Sequence, residues 1–199
     1  MGVDRQADKE REIEMDYIRI TSIDDPRFAA MHKLMQNVFP AEEVLAFELW
    51  KEPLEDPGIR VFVAEHEGEI VGATEYRVYD DFRVAMTDFT IIGRPGLGIG
   101  RFLAQRRLAD IAAVARGAGV ELIGMFAEIY DPYRVQDHAF GGIKPMDPYV
   151  RREVLSHLAT AGWTSPMCTR PGKGTARRSA SWTCASCLLT KAWNSCPPA

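Results

Sequence analysis

IIGRPGLGIGRFL, residues 91–103, sets three alternate glycines, Gly96, Gly98 and Gly100, between an apolar run and the start of a helical pattern. Glycine carries no Cβ, so such a stretch lets backbone approach a ligand closely and accepts positive φ. The first-turn amides of the helix that follows have no intrahelical acceptor and carry the positive end of the helix dipole. Strand, glycine turn and helix in that order read as an anion site, with a phosphate or pyrophosphate as the expected guest. The plainer reading is a tight turn that binds nothing, and three glycines in alternation at a strand-to-helix junction weigh against it.

Outward from the turn, the chain alternates strands and helices. Residues 100–116, GRFLAQRRLADIAAVAR, give the clearest helical pattern: Leu108, Ile111 and Ala115 share one face, Arg106, Arg107 and Asp110 another, and Gly117 and Gly119 stop it. Before the turn, residues 59–92 alternate as three strands, turned at Glu67-Gly68 and at Asp80-Asp81. MDYIRIT, 15–21, alternates as a first strand, and Asp24-Asp25-Pro26 offers a cap and a first-turn proline for a helix over 26–38. AEEVLAFELWKE, 41–52, pairs Val44 with Phe47 and Leu45 with Leu49 at helical spacing, and Asp56-Pro57-Gly58 ends that second helix. ELIGMFAEI, 121–129, is an apolar strand of the kind buried on both faces, and a helix over 147–158 follows a loop rich in Gly and Pro.

With 199 residues the chain reads as one domain with a single core. No apolar stretch approaches the roughly 18 residues of a spanning helix, and the charged start, MGVDRQADKEREIEMD, has no apolar centre of a signal peptide. A cytoplasmic protein with no membrane partner is expected, with residues 1–14 as a disordered extension. A net charge of −4 and scattered basic residues argue against nucleic acid. His32, His66, His138 and His157 stand in separate segments, none at metal-ligand spacing, so surface or capping roles and no metal are expected.

The average charge hides a break. Residues 1–158 carry 28 acidic and 19 basic residues, a net −9, whereas residues 159–199 carry no Asp or Glu, five Lys or Arg, all four cysteines and three of the four tryptophans. As a separate module this tail would rest on Cys184 and Cys187, a lone C-x-x-C whose distance from Cys168 and Cys196 fits no paired-knuckle pattern. As a displaced reading frame it makes more sense. Trp and Cys codons both begin TG, so a shift by one base turns Trp163, Trp182, Cys184 and Cys187 into Leu, Met or Val, and Thr164 and Thr183 into Asp. Residues 179–187 can then read VSELDLRFL, which alternates as a half-buried strand. We therefore expect a domain over 15–158 and a frameshifted tail over 159–199, with native C-terminal strands lost beyond Leu158.

Three families use a glycine turn of this kind. A P-loop is excluded because no Gly-Lys-Ser/Thr follows. A dinucleotide fold wants a third glycine where Arg101 stands, and its turn follows one strand rather than three. PGLGIGRFL resembles the coenzyme A pyrophosphate motif of the GNAT acyl-CoA N-acyltransferases, usually Arg/Gln-x-x-Gly-x-Gly/Ala before a helix, and the order of elements over residues 16–158 is similar to that family's. The motif's basic residue falls at Pro95, with Arg94 one place earlier.

That resemblance implies an α+β fold with a mixed, largely antiparallel central sheet flanked by helices, and an acetyl-CoA or other acyl-CoA co-substrate. It implies two central strands, Ala85–Ile92 and Leu122–Ile129, splayed so that pantetheine pairs with the backbone of Phe89 to Ile92. Phe89, Ile91, Ile92, Arg94, Gly96, Leu97, Gly98, Ile99, Gly100 and Arg101 become the coenzyme-binding residues. Acyl transfer directly to a primary amine needs a base and an acid. Glu75 and Asp88 are the candidate bases, as carboxylates in otherwise uncharged strand stretches, against the plain reading of solvent-face carboxylates. Glu128 is a candidate for binding the amine, and Tyr133 or Tyr130 for the acid. His138 is a minor candidate on the following loop. The acidic body leans toward a cationic acceptor, and a homodimer is one assembly open to the chain. The alternative is a non-catalytic acyl-CoA-binding module of the same fold.

Overall fold

The computed structural model describes residues 14–130, 147, 149–150, 153–154 and 182–189, with the backbone alone at 128–130 and 182–189. Its centre is a six-stranded sheet in chain order: β1 (Asp16–Ile20), β2 (Ile59–His66), β3 (Glu69–Tyr79), β4 (Val84–Ile92), β5 (Gly124–Tyr130) and β6 (Trp182–Leu189). All neighbours run antiparallel except β4 and β5. The fold is thus α+β, with the mixed, largely antiparallel sheet expected from the sequence.

Local chemistry explains the elements that the sequence made legible. Helix α1 spans Pro26–Val38; Asp25 caps it by accepting the Arg27 amide at 2.9 Å, and Pro26 opens its first turn. Glu67 and Gly68, both at positive φ, make the two-residue turn between β2 and β3. Along β2, Val61 and Val63 join a core under α1 with Phe28, Met31 and Trp50, while Phe62 and Ala64 face the opposite side, where α3 (Ile99–Gly117) packs.

The second helix differs from its expectation. Residues 41–52 form two short 3-10 turns, Ala41–Glu43 and Phe47–Trp50, and the α-helix α2 is only Lys51–Glu55. Val44 is extended, and the carbonyl of Leu45 is bound by the His32 ring at 2.8 Å, so it is not free to continue a helix. The break lets Phe47 and Trp50 both turn onto Phe28. His32 is accordingly a buried core residue and not a surface one.

At the C-terminal side, Tyr149–Val150 and Glu153–Val154 are helical, within the helix expected over 147–158. The tail contributes β6, antiparallel to β5: backbone pairing with β5 is open to WTCASCLL as it stands. Residues 1–13, Tyr133 and His138 lie outside the described residues.

Candidate functional site

The site grows from an irregularity in β4. In the β3–β4 ladder Glu75 faces Phe89 and Tyr76 faces Thr87, leaving Asp88 as an extra residue, a β-bulge. On its other edge β4 pairs with β5 only from Val84 to Thr87, opposite Gly124 to Ala127. Beyond that point β4 runs on through Ile92 and β5 through Tyr130 without pairing with each other. The described strands therefore open at the bulge. Phe89 to Ile92, the residues expected to offer backbone groups, lie along this open edge.

The glycine turn stands at the far end of that edge. Gly96 and Gly98 have φ of 87° and 69°, and a Cβ on either would meet nothing within 4 Å. Gly98 is the N-cap of α3, whose first turn holds no acidic residue. Gly100 serves otherwise than expected: it lies inside α3, where a Cβ would come 3.0 Å from Ile92 Cδ1, so its need is for space and not for positive φ. Ile99 is 1% exposed and Ile91 is in the core, which leaves only their backbone for a ligand, and Leu97 packs its side chain toward Ile99 and Leu103. Arg101 is exposed, and Arg94 reaches Glu69 at 3.5 Å across the surface. An open, acid-free helix start with two glycines at positive φ fits a pyrophosphate.

Glu75 and Asp88 come together at the bulge. Burial pushes the Glu75 carboxyl up to about 7, and the nearby Asp88 charge adds to the rise. Asp88 is itself raised by desolvation: although the residue is exposed overall, its carboxylate lies low enough against the sheet to lose water. Strand alternation places Glu75 on the α1 side of the sheet, the side of Phe89, whose ring packs edge-on with Phe39 and Trp50. A carboxyl poised near neutrality, beside an aromatic wall and an open backbone edge, can take a proton. The side chains of Glu128 and Tyr130, like Tyr133 as a whole, lie outside what is described.

One group was missed in the sequence. Arg107 was placed on the polar face of its helix, yet it is only 4% exposed, in line with Leu103, Ile111 and Ala115 at four-residue spacing. That spacing was the available signal. Its Nη1 lies 2.9, 3.1 and 2.6 Å from the hydroxyls of Thr74, Thr87 and Thr90. Asp110, assigned to the same polar face, is bound by Arg60 and accepts from Tyr76.

No family model matches the chain, and no curated protein matches it in sequence. Solved structures do. An aminoglycoside acetyltransferase from an uncultured soil metagenomic sample, in complex with trehalose, is similar at a TM-score of 0.54 and 17% identity, covering 82% of this chain and 97% of that one. The same enzyme in complex with sisomicin gives 0.54, 18%, 82% and 97%. The spermidine/spermine N-acetyltransferase SpeG from Vibrio cholerae aligns over 75% of this chain and 78% of its own at 19% identity and a TM-score of 0.48. The chain has the GNAT fold.

Proposed function

We propose that this GNAT-fold chain is an N-acyltransferase that moves an acetyl or other short acyl group from acyl-CoA directly to a primary amine. The observation that carries it is the meeting, at one bulge, of an open strand edge and a carboxyl poised near neutral pH. Backbone of Phe89 to Ile92 would hold the pantetheine arm, and the turn from Arg94 to Arg101 the pyrophosphate. Bound acyl-CoA supplies an activated acyl thioester. Glu75 takes the proton from the amine, directly or through water; burial, with a smaller contribution from the Asp88 charge, keeps its pKa high enough to accept it. Tyr133 is proposed as the acid.

The acceptor is proposed to be a cationic amine. Residues 41–56 bring Glu42, Glu43, Glu48, Glu52, Glu55 and Asp56 against a single Lys51, on the connection that flanks the Glu75 side of the sheet. Such a field draws cations toward the cleft. The similar aminoglycoside acetyltransferase, one of whose structures holds sisomicin, supports an acceptor of this kind.

Calorimetric titration with acetyl-CoA tests the coenzyme, and turnover with a panel of polyamines and aminoglycosides tests the chemistry. Binding with turnover that falls in Glu75→Gln, Asp88→Asn or Tyr133→Phe supports an enzyme. Binding that none of the three alters, without turnover, supports the non-catalytic module instead. No binding by the folded chain overturns both.

A further inference from the structure

Among the described residues, Arg107 is a buried cation without a carboxylate of its own. The titratable groups facing it are Tyr17 of β1 and Tyr76 of β3. Tyr76 donates to Asp110 of α3, and Asp110 is already held by Arg60 of β2, so that carboxylate is taken. Nε of Arg107 has no hydrogen-bond partner among the described residues. Desolvation lowers its pKa to about 10, which still leaves the guanidinium charged at neutral pH. Burying a charge in this way costs stability, and an apolar side chain of similar volume would often serve the fold better.

The three threonines show where the charge is directed. The bulge puts Thr87 and Thr90, three residues apart, on the same face of β4, whereas regular alternation would put them on opposite faces. The Thr87 hydroxyl proton goes to the carbonyl of Glu75 at 2.8 Å and that of Thr74 to the carbonyl of Phe89 at 3.0 Å. Among the described residues, Thr90 accepts from Arg107 at 2.6 Å and has one further contact, to the Thr74 hydroxyl at 3.4 Å. Thr90 is exposed, and it lies on the edge of β4 that β5 leaves uncovered. A hydroxyl that accepts from a cation is a stronger donor.

We infer that Thr90, backed by Arg107, donates a hydrogen bond to the coenzyme sulfur as it leaves, and stabilises it as a thiolate. The inference rests on the proposed acyl transfer. In that step the amine nitrogen bonds to the acyl carbon, the C–S bond breaks with its electron pair going to sulfur, and the amine proton passes to Glu75. Glu75 on β3 and Thr90 on the open edge of β4 stand on opposite faces of the sheet at adjacent levels of the β3–β4 ladder, so the incoming amine and the outgoing sulfur have separate sides. Thr90 touches the reacting atoms, and Arg107 is a positioning residue that acts through it.

The test uses free coenzyme A and reads the thiolate absorbance of the bound thiol against pH, which needs no turnover. A thiol near a cation titrates lower than the usual value of about 8.5. The wild-type chain is expected to lower the bound thiol's pKa by about 1, and Thr90→Val and Arg107→Met to return it toward the free value. With an acceptor amine, Thr90→Val is expected to reduce kcat roughly tenfold with the amine's KM nearly unchanged, as for loss of one transition-state donor. Thermal melting separates a structural role: Arg107→Met that keeps or raises Tm while losing the thiol shift supports the inference. Wild-type binding with an unshifted thiol, or a shift that survives Thr90→Val, overturns the inference and leaves the acyltransferase reading intact. No binding of coenzyme A by the wild-type chain overturns both.

Discussion

Gly72 of β3 lies against Ile99 of α3 with no room between them for a methyl group. A Cβ at Gly72 would stand 2.5 Å from Ile99 Cγ2 and 2.9 Å from the Ile91 carbonyl oxygen. The first turn of α3 is therefore pinned to the middle of the sheet at a fixed height, and the glycine turn is pinned with it. Gly72→Ala is expected to destabilise the fold by about 1–3 kcal/mol, the usual cost of overpacking. Denaturant unfolding measures the loss, and acetyl-CoA affinity should fall with it because the helix start moves off the strand edge.

Gly98 makes the complementary case, in which space is free and conformation is not. A side chain there meets nothing within 4 Å, but φ of 69° is left-handed and costs a β-branched residue on the order of 1–3 kcal/mol. Gly98→Val is expected to lower Tm moderately and to weaken acetyl-CoA binding by tenfold or more in calorimetry. Affinity equal to wild type would remove the turn from the site.

The raised carboxyl of Glu75 links stability to pH. Its folded pKa of about 7 exceeds the ordinary 4.5, so the folded state holds a proton that the unfolded state has lost across that window. Stability contributed by that proton falls as pH rises from about 4.5 to 7. Glu75→Gln should therefore gain stability over wild type as pH increases, approaching on the order of 3 kcal/mol above pH 7. The same group predicts a rate that rises through pH 7. Asp88→Asn, by removing the neighbouring negative charge, should move that limb to lower pH.

Much of this was legible in the sequence for local reasons. The α1 cap at Asp25-Pro26 and the turn at Glu67-Gly68 depend on adjacent residues, and both stand where expected. The 41–52 segment was misread because its break depends on His32, 13 residues away, taking the Leu45 carbonyl. Arg107 was misread because an arginine counts as polar in any pattern, and only the threonines of β3 and β4 make its burial tolerable. Glu75 and Asp88 were found as isolated carboxylates in strands, but their meeting at one level depends on a register that no single strand encodes.

We propose that residues 159–199 are out of their native frame, as their lack of any acidic residue suggests. A missing or extra base across codons 150–170 of the source DNA is the expected result, and an intact frame there would falsify the proposal.

Asp88 can be removed on paper without disturbing anything else. Without it, Ala85, Thr87, Thr90 and Ile92 would alternate toward α3 and Met86, Phe89 and Ile91 toward α1, and the ladder Thr74–Tyr76 would pair residue for residue with Thr90, Phe89 and Thr87. The irregularity is thus an insertion laid over a strand that is complete without it. A chain lacking Asp88 should melt at or above the wild-type temperature and fail to turn over, which would separate what folds this protein from what it does.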